Sequence, residues 1–322
     1  MRNHGLSEQP PSRYATREEA TSEDFMELNR IFDEISVRWN LPDHYDLNKR
    51  RYPWAVDLLK RPQFYASRLW EYPWAILESH LEPGMCCADV GCGQTPFTIY
   101  LKEIGCEVVG FDPDYGSAAG SYAFGVPMSF AQKTGIQFVK CGMESLGYPD
   151  EYFDRVFCIS VIEHIPYRRV KINGMREIAR ILKPGGLAII TIDVLLFQRV
   201  VNPLELVWES GLSFYGAVDL TMPKERWGML DNGKPSDVFG FVLFKPNTKI
   251  RTRYGNEAKL MDAWRVAIAR DTHRAVWPEP ALPYTLIDIY RYRLLYPKVC
   301  IGRFLKKYPI IYSLVKKALG MK

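Results

Sequence analysis

The chain has 322 residues, 47% hydrophobic and 13% aromatic, which is enough apolar matter for a large core and too much for a disordered chain. No apolar run reaches the roughly 18 residues that would cross a bilayer, and the start, MRNHGLSEQPPSRYATREEATSEDF, is too polar for a secretory leader, so a cytoplasmic protein is expected. The net charge of +5 is unevenly spread: residues 246–322 hold 16 Lys and Arg against 5 Asp and Glu, so the tail carries +11 and residues 1–245 carry −6.

In chain order, residues 1–22 read as a flexible arm, with scattered charge and no apolar period. Residues 23–82 read as a helical cap. Phe25, Leu28, Ile31, Phe32, Ile35 and Trp39 recur at helical spacing until Pro42. A second helical region runs from about Trp54 to Leu81, interrupted by Pro62 and Pro73, and its place just before a glycine turn lets it fold over a ligand. Seven cysteines with no CxxC pair suit a reduced compartment and neither a zinc framework nor another metal site.

Residues 83–245 form the core. Met85 to Val90 is a short apolar strand, Gly91-Cys92-Gly93 a turn, and Thr95 onward a helix start. Glycines let a ligand approach bare backbone, and a helix N-terminus offers unpaired N–H groups, so a nucleotide-like ligand is expected. The strand EVVGF (107–111) ends at Asp112, 19 residues past Gly93, where a carboxylate can accept hydrogen bonds from both hydroxyls of a ribose. Residues 114–127 read as a loop and 128–133 as a turn of helix; IQFVK, RVFCIS and LAIITID follow as strands. The helix expected over 167–182 ends at Lys183-Pro184-Gly185-Gly186, residues that turn the chain. Strands alternating with helices, each strand nearly all apolar, imply a Rossmann-like α/β fold with a parallel sheet covered on both faces. After a helix at 202–212, SFYGAVDL and DVFGFVLFK lack a convincing helix between them and so pair antiparallel at the sheet end.

The blocks ADVGCGQTPFTIYL, VVGFDPD, GMESLGYPDEYFDRVFCISVIEHI and ILKPGGLAIITID resemble, in order and spacing, the class I S-adenosylmethionine-dependent methyltransferases, in the branch that modifies small molecules, sugars and lipids. The resemblance covers about residues 70–245. It implies a seven-stranded sheet, mostly parallel with one antiparallel strand, and S-adenosylmethionine as methyl donor. It further implies that Asp89 orients the glycine turn near the amino-acid part of the donor, that Gly91, Cys92 and Gly93 leave backbone room, and that Asp112 holds the ribose. Met143 and Glu144 then lie along the adenine, and Ser160 faces the methionine portion. Two positions depart from the family pattern. Gly142 stands where an acid is common, which removes an acceptor for the adenine amino group, and Thr95 replaces a frequent glycine, where it can cap the following helix.

A sulfonium methyl is already activated, so transfer needs mainly a nucleophile held at attacking distance with water excluded. A base is required only for a hydroxyl acceptor, and His164 in VIEHIP is the candidate, although the same pair in relatives often serves no chemistry. No (D/N)PPY follows the fourth strand, which favours O-methylation of a small-molecule, sugar or lipid-linked acceptor and leaves carbon and nitrogen open; no recognised RNA module accompanies the basic tail, so nucleic acid is an unexpected partner. Residues 246–322 read as a basic, mainly helical extension. Over 288–322, Phe304, Tyr308, Ile311 and Val315 share one helical face opposite Lys306 and Lys317, as for a helix lying on an anionic membrane surface or docked on the protein's own sheet. A non-catalytic cofactor-binding module with a partner-binding tail is the alternative in another class, and an NAD-dependent oxidoreductase a third, weakened by the missing last glycine of GxGxxG.

Overall fold

The computed structural model describes residues 9–41, 54, 55, 58, 68–116, 125–165, 167–194, 203–219, 221, 223–225, 227–229 and 235–246. The expectations placed on Pro42, Pro62 and the extension beyond residue 246, including the membrane-facing helix, lie outside these residues. In chain order the elements are β1 (Arg13–Tyr14), α1 (Arg17–Ala20), α2 (Glu23–Arg38), α3 (Arg68–Ser79), β2 (Cys86–Val90), α4 (Pro96–Glu103), β3 (Glu107–Phe111), α5 (Met128–Thr134), β4 (Gln137–Val139) and β5 (Phe153–Ile159). A 3-10 turn (Ile162–His164) leads to α6 (Arg168–Ile181), β6 (Leu182–Val194), α7 (Pro203–Ser210), β7 (Ser213–Phe214), β8 (Gly228–Met229) and β9 (Pro235–Phe244).

The backbone of the fold is a sheet in the order β1-β9-β6-β5-β2-β3-β4. Strands β4, β3, β2, β5 and β6 run parallel, and β9 pairs antiparallel with β6 over eight residue pairs from Leu187↔Phe244 to Val194↔Asp237. This is the mostly parallel, Rossmann-like arrangement expected, but the sheet has nine strands where seven were expected. The surplus comes from fragmentation at the edge beyond β9. The segment SFYGAVDL does pair antiparallel with β9, yet only Ser213 and Phe214 do so, because Gly216 takes a positive φ of 72° and ends the strand. The rest of that edge is filled by β1, whose Arg13 and Tyr14 pair with Gly240 and Phe239.

Hence residues 12–20, expected to belong to a flexible arm, are built into the molecule. Arg13 is buried and donates to Glu19, to Glu78 at 2.7 Å and to the Pro10 carbonyl at 2.7 Å, while Ser12 Oγ accepts from the Val242 amide at 3.0 Å. Trp70 and Trp74 stack with centroids 5.0 Å apart and donate to Glu19 at 2.6 Å and to the Pro11 carbonyl at 3.1 Å. The charge that made this segment look solvated is consumed by internal pairing.

Helix α2 carries Glu23 and Asp24 in its first turn and Arg38 in its last, matching the helix dipole, and buries Phe25, Phe32 and Ile35. Phe32 meets Tyr72 of α3 at 5.2 Å and Tyr100 of α4 at 5.1 Å between centroids, so aromatic packing joins the three helices. Helix α3 runs through Pro73 without ending. Its Trp74 lies so close to Gly240 of β9 that any side chain at 240 would collide with the indole. Strand β6 also starts earlier than the apolar run suggests, at Leu182. Lys183 to Gly186 lie inside it, at a register shift opposite Phe153 and Arg155, with Gly185 at φ 76° and its amide donating to the Lys245 carbonyl at 2.8 Å. Glycines expected only to turn the chain therefore absorb a bulge.

Candidate active site

Strand order reverses between β2 and β5, so the carboxyl ends of these two strands open the crevice where ligands of parallel α/β sheets bind. Gly91 follows β2 with φ 73° and Gly93 with φ 55°, both in the left-handed region. A Cβ on Gly91 would lie 2.5 Å from Val161 Cγ2, so the turn also requires glycine to nest against the chain leaving β5. The amides of Gly91 and Cys92 donate to the Phe111 carbonyl at 2.7 and 3.2 Å, tying the turn to β3. Thr95 sits at the N-cap of α4 but makes no side-chain cap bond; its hydroxyl donates back to the Cys92 carbonyl at 3.3 Å and braces the turn instead.

Asp112 is 7% exposed. Its Oδ2 accepts from the Gly93 amide at 3.0 Å and its Oδ1 from the Asp114 amide at 2.7 Å, which fixes the carboxylate at the mouth of the turn with lone pairs to spare. Burial pushes its pKa up against these two bonds. Asp89, at 3% exposed, is pushed up to about 7 by burial and by Asp112, with Arg68 pulling the other way. Cys92 is buried, and its thiol is held well above the usual range by burial and the two aspartates, so it is inert packing. Sequence spacing thus brings Asp89, Gly91, Cys92, Gly93 and Asp112 together in one place.

The remaining expected residues are placed less simply. The Met143 side chain fills the space beside Gly174 of α6, where a Cβ would collide with it. Glu144 folds back so that its carboxylate occupies the space a side chain at Gly142 would need. The Glu144 carboxylate therefore lies beside position 142. Ser160 has φ 50°, and its hydroxyl donates to Glu71 Oε1 at 2.5 Å and accepts from Arg68 at 2.8 Å, so it is engaged by α3.

That engagement exposes a group of residues the sequence did not single out. Glu71 is 0% exposed and accepts from Arg68, Ser160 and Thr191. Burial works against the Arg68 charge, but Glu71, Tyr72 and Asp193 more than offset it and raise its pKa. Tyr72, from the same helix, interacts with Thr95 at the glycine turn; burial raises its pKa to about 12. Helix α3 therefore touches the site at both the β2 and β5 ends. On the 3-10 turn, Glu163 Oε1 accepts from the Asp193 amide at 3.1 Å, and burial raises both carboxyls to about 7. His164 reaches solvent; crowding of its ring lowers its pKa, opposed by Asp193. Among the described residues no group of acids, His and Cys is arranged to hold a metal ion.

Residues 88–190 match the family model described as a methyltransferase domain. The "tRNA U34 carboxymethyltransferase" of Campylobacter curvus is 30% identical over 163 residues, 49% of this chain and 52% of that protein. The human "Probable tRNA methyltransferase 9B" is 31% identical over 125 residues, 38% of this chain and 25% of that one. The "Ubiquinone/menaquinone biosynthesis C-methyltransferase UbiE" of Nitrosospira multiformis is 25% identical over 184 residues, 57% of this chain and 65% of that one. The chain thus spans about half the length of the first relative and a quarter of the second. Two of these relatives are named for tRNA, which overturns the expectation that nucleic acid is an improbable partner, while the third is named for a quinone, so the small-molecule branch is supported in part. The lack of a recognised RNA module was too weak a ground, since relatives named for tRNA match the methyltransferase core itself. With the glycine turn, Asp112 and the reversal of strand order lying inside the matched segment, the chain carries a class I S-adenosylmethionine-dependent methyltransferase domain.

Proposed function

We propose that this protein catalyses methyl transfer from S-adenosylmethionine to an oxygen nucleophile, with residues 83–245 as the donor-binding core and residues 23–82 as the cap over it. The observation that carries this reading is the carboxylate of Asp112, fixed by the Gly93 and Asp114 amides at the end of β3, where ribose hydroxyls bind when a nucleoside occupies the crevice. Gly91, Cys92 and Gly93 leave room for the donor's backbone contacts, and Asp89 attracts its ammonium. Glu144, taking the place of an acid at 142, accepts from the adenine amino group beside Met143, and the Ser160 backbone borders the methionine portion. The donor supplies the activated methyl group. The protein supplies position and dryness, and for an oxygen acceptor a base, which we assign to His164, kept neutral near pH 7 by its lowered pKa.

For the acceptor we infer tRNA, a reading supported by the names of two relatives and by the surplus of 11 positive charges in residues 246–322, which suits a phosphate backbone. A tRNA acceptor places the reaction in the cytoplasm. The test is to incubate the full-length protein with methyl-labelled S-adenosylmethionine and, separately, total tRNA, a polar metabolite extract and a lipid extract. Label in tRNA that survives nuclease digestion as an O-methyl nucleoside supports both steps. Label confined to lipid or metabolite overturns the acceptor, and no S-adenosylhomocysteine from any of them overturns the enzyme in favour of a non-catalytic binding module.

A further inference from the structure

Lys171, in the first turn of α6, is 2% exposed, yet among the described residues it makes no hydrogen bond and no ion pair. Burying an ammonium without a partner is costly, and chains retain such a group where a ligand completes it. Burial lowers its pKa to about 8, while Glu163 pulls the other way and keeps the amine mostly charged at neutral pH. Lys171 in turn lowers the pKa of His164, so amine, carboxylate and imidazole share one field. The charged groups around this turn are Glu163 and His164 on the turn itself, Asp193 at the end of β6, and Arg68 and Glu71 on α3. Arg68 is spent on Glu71 and Ser160. Glu163 Oε2 and Asp193 Oδ1 are buried with no hydrogen-bond partner among the described residues. The turn and helix that follow β5 therefore carry an unspent cation, Lys171, in the field of Glu163, and Glu163 is itself tied to Asp193 near the end of β6 with acceptor atoms unspent.

We propose that Lys171 is a catalytic residue that pairs with the ionised oxygen of the methyl acceptor. The inference rests on the methyl-transfer reading above. The O–H bond of the acceptor breaks and its proton passes to the His164 ring. The electron pair left on oxygen is stabilised by the Lys171 ammonium. Oxygen then attacks the methyl carbon of the sulfonium as a new O–C bond forms, and the C–S bond breaks with its electron pair left on sulfur as the thioether.

The test needs no natural acceptor. Full-length protein saturated with S-adenosylhomocysteine is mixed with 4-nitrophenol at a pH below the probe's own pKa, and phenolate is read by its visible absorbance. The wild type enriches phenolate about tenfold, the amount that corresponds to a pKa lowered by about one unit. Lys171→Met removes the enrichment, Lys171→Arg keeps part of it, and S-adenosylhomocysteine affinity by calorimetry stays unchanged in both. Lys171→Met also raises the thermal midpoint, because an uncompensated buried charge is lost; a purely structural lysine would lower it. No enrichment by a wild type that binds S-adenosylhomocysteine, or equal enrichment by Lys171→Met, overturns the proposal alone. Failure of the wild type to bind S-adenosylhomocysteine overturns the methyl-transfer reading and this one with it.

Discussion

Asp112 was legible because spacing alone sets it: a strand of five residues ends, and the next side chain must emerge at the mouth of the preceding turn. Its two bonds from the Gly93 and Asp114 amides fix the orientation of the carboxylate. Asp112→Ala is expected to weaken S-adenosylhomocysteine binding between tenfold and a hundredfold, the worth of about 1.5–3 kcal/mol for hydrogen bonds to a charged group. Calorimetry giving wild-type affinity would remove Asp112 from the ribose site. Asp89 makes a separate prediction in pH. Its folded pKa, about 7, lies above the ordinary value of 3.8, so the stability it contributes is fully present below about 3.8 and is lost as pH rises to about 7. The same rise in pH creates the carboxylate that attracts the cationic donor. S-adenosylmethionine should therefore bind more tightly as pH climbs through about 7, and Asp89→Asn should flatten that dependence. Glu163 and Asp193 shift in the same direction, so the informative quantity is the difference between wild type and variant; identical slopes would reject the assignment. Lys171, in contrast, was hidden in the sequence, since in a helix with Arg168, Arg169 and Arg176 it reads as one more solvated charge.

Among the elements, α3 was the least legible in its role. Its aromatic run announces burial, and both Trp70 and Trp74 are indeed 0% exposed. Nothing local shows that Glu71, in the middle of that run, meets Ser160 and Thr191, which lie 89 and 120 residues away. The helix is pinned to the ends of β5 and β6 by one carboxylate. Glu71→Ala leaves the Arg68 guanidinium and two hydroxyls without their shared acceptor, at a cost of about 3–5 kcal/mol in unfolding free energy. Glu71→Gln, which keeps an acceptor oxygen, should cost less. Urea denaturation that finds the alanine variant within error of wild type would show that the network is dispensable. Strands β2 and β3 were read with their boundaries nearly intact because apolar runs bounded by glycine, cysteine and aspartate leave little choice. The start of β6 was missed because a Lys-Pro-Gly-Gly segment has the chemistry of a stop, and only its pairing with β5 shows it to be a bulge.

For the whole molecule, charge is unevenly divided: residues 1–245 carry −6 and the remainder holds 16 basic residues. A protein ending at Lys245 should keep its affinity for S-adenosylhomocysteine while its tRNA binding weakens and the dependence of that binding on salt becomes shallower, since fewer phosphates are neutralised. An unchanged salt slope in a binding assay would show that the extension does not meet the nucleic acid. The alternating pattern from Met85 to Phe244 was enough to anticipate a parallel sheet with an antiparallel closing strand. The edge beyond that strand could not be anticipated, because Arg13 and Tyr14 are too few to show a period and find their partners, Gly240 and Phe239, at the other end of the core. That pairing has a consequence for synthesis on the ribosome. Arg13 and Tyr14 are made long before the strand they pair with, so until β9 emerges the nascent chain carries Trp74 without its cover and the β6 edge without its neighbour, which makes the translating intermediate a natural client for chaperones.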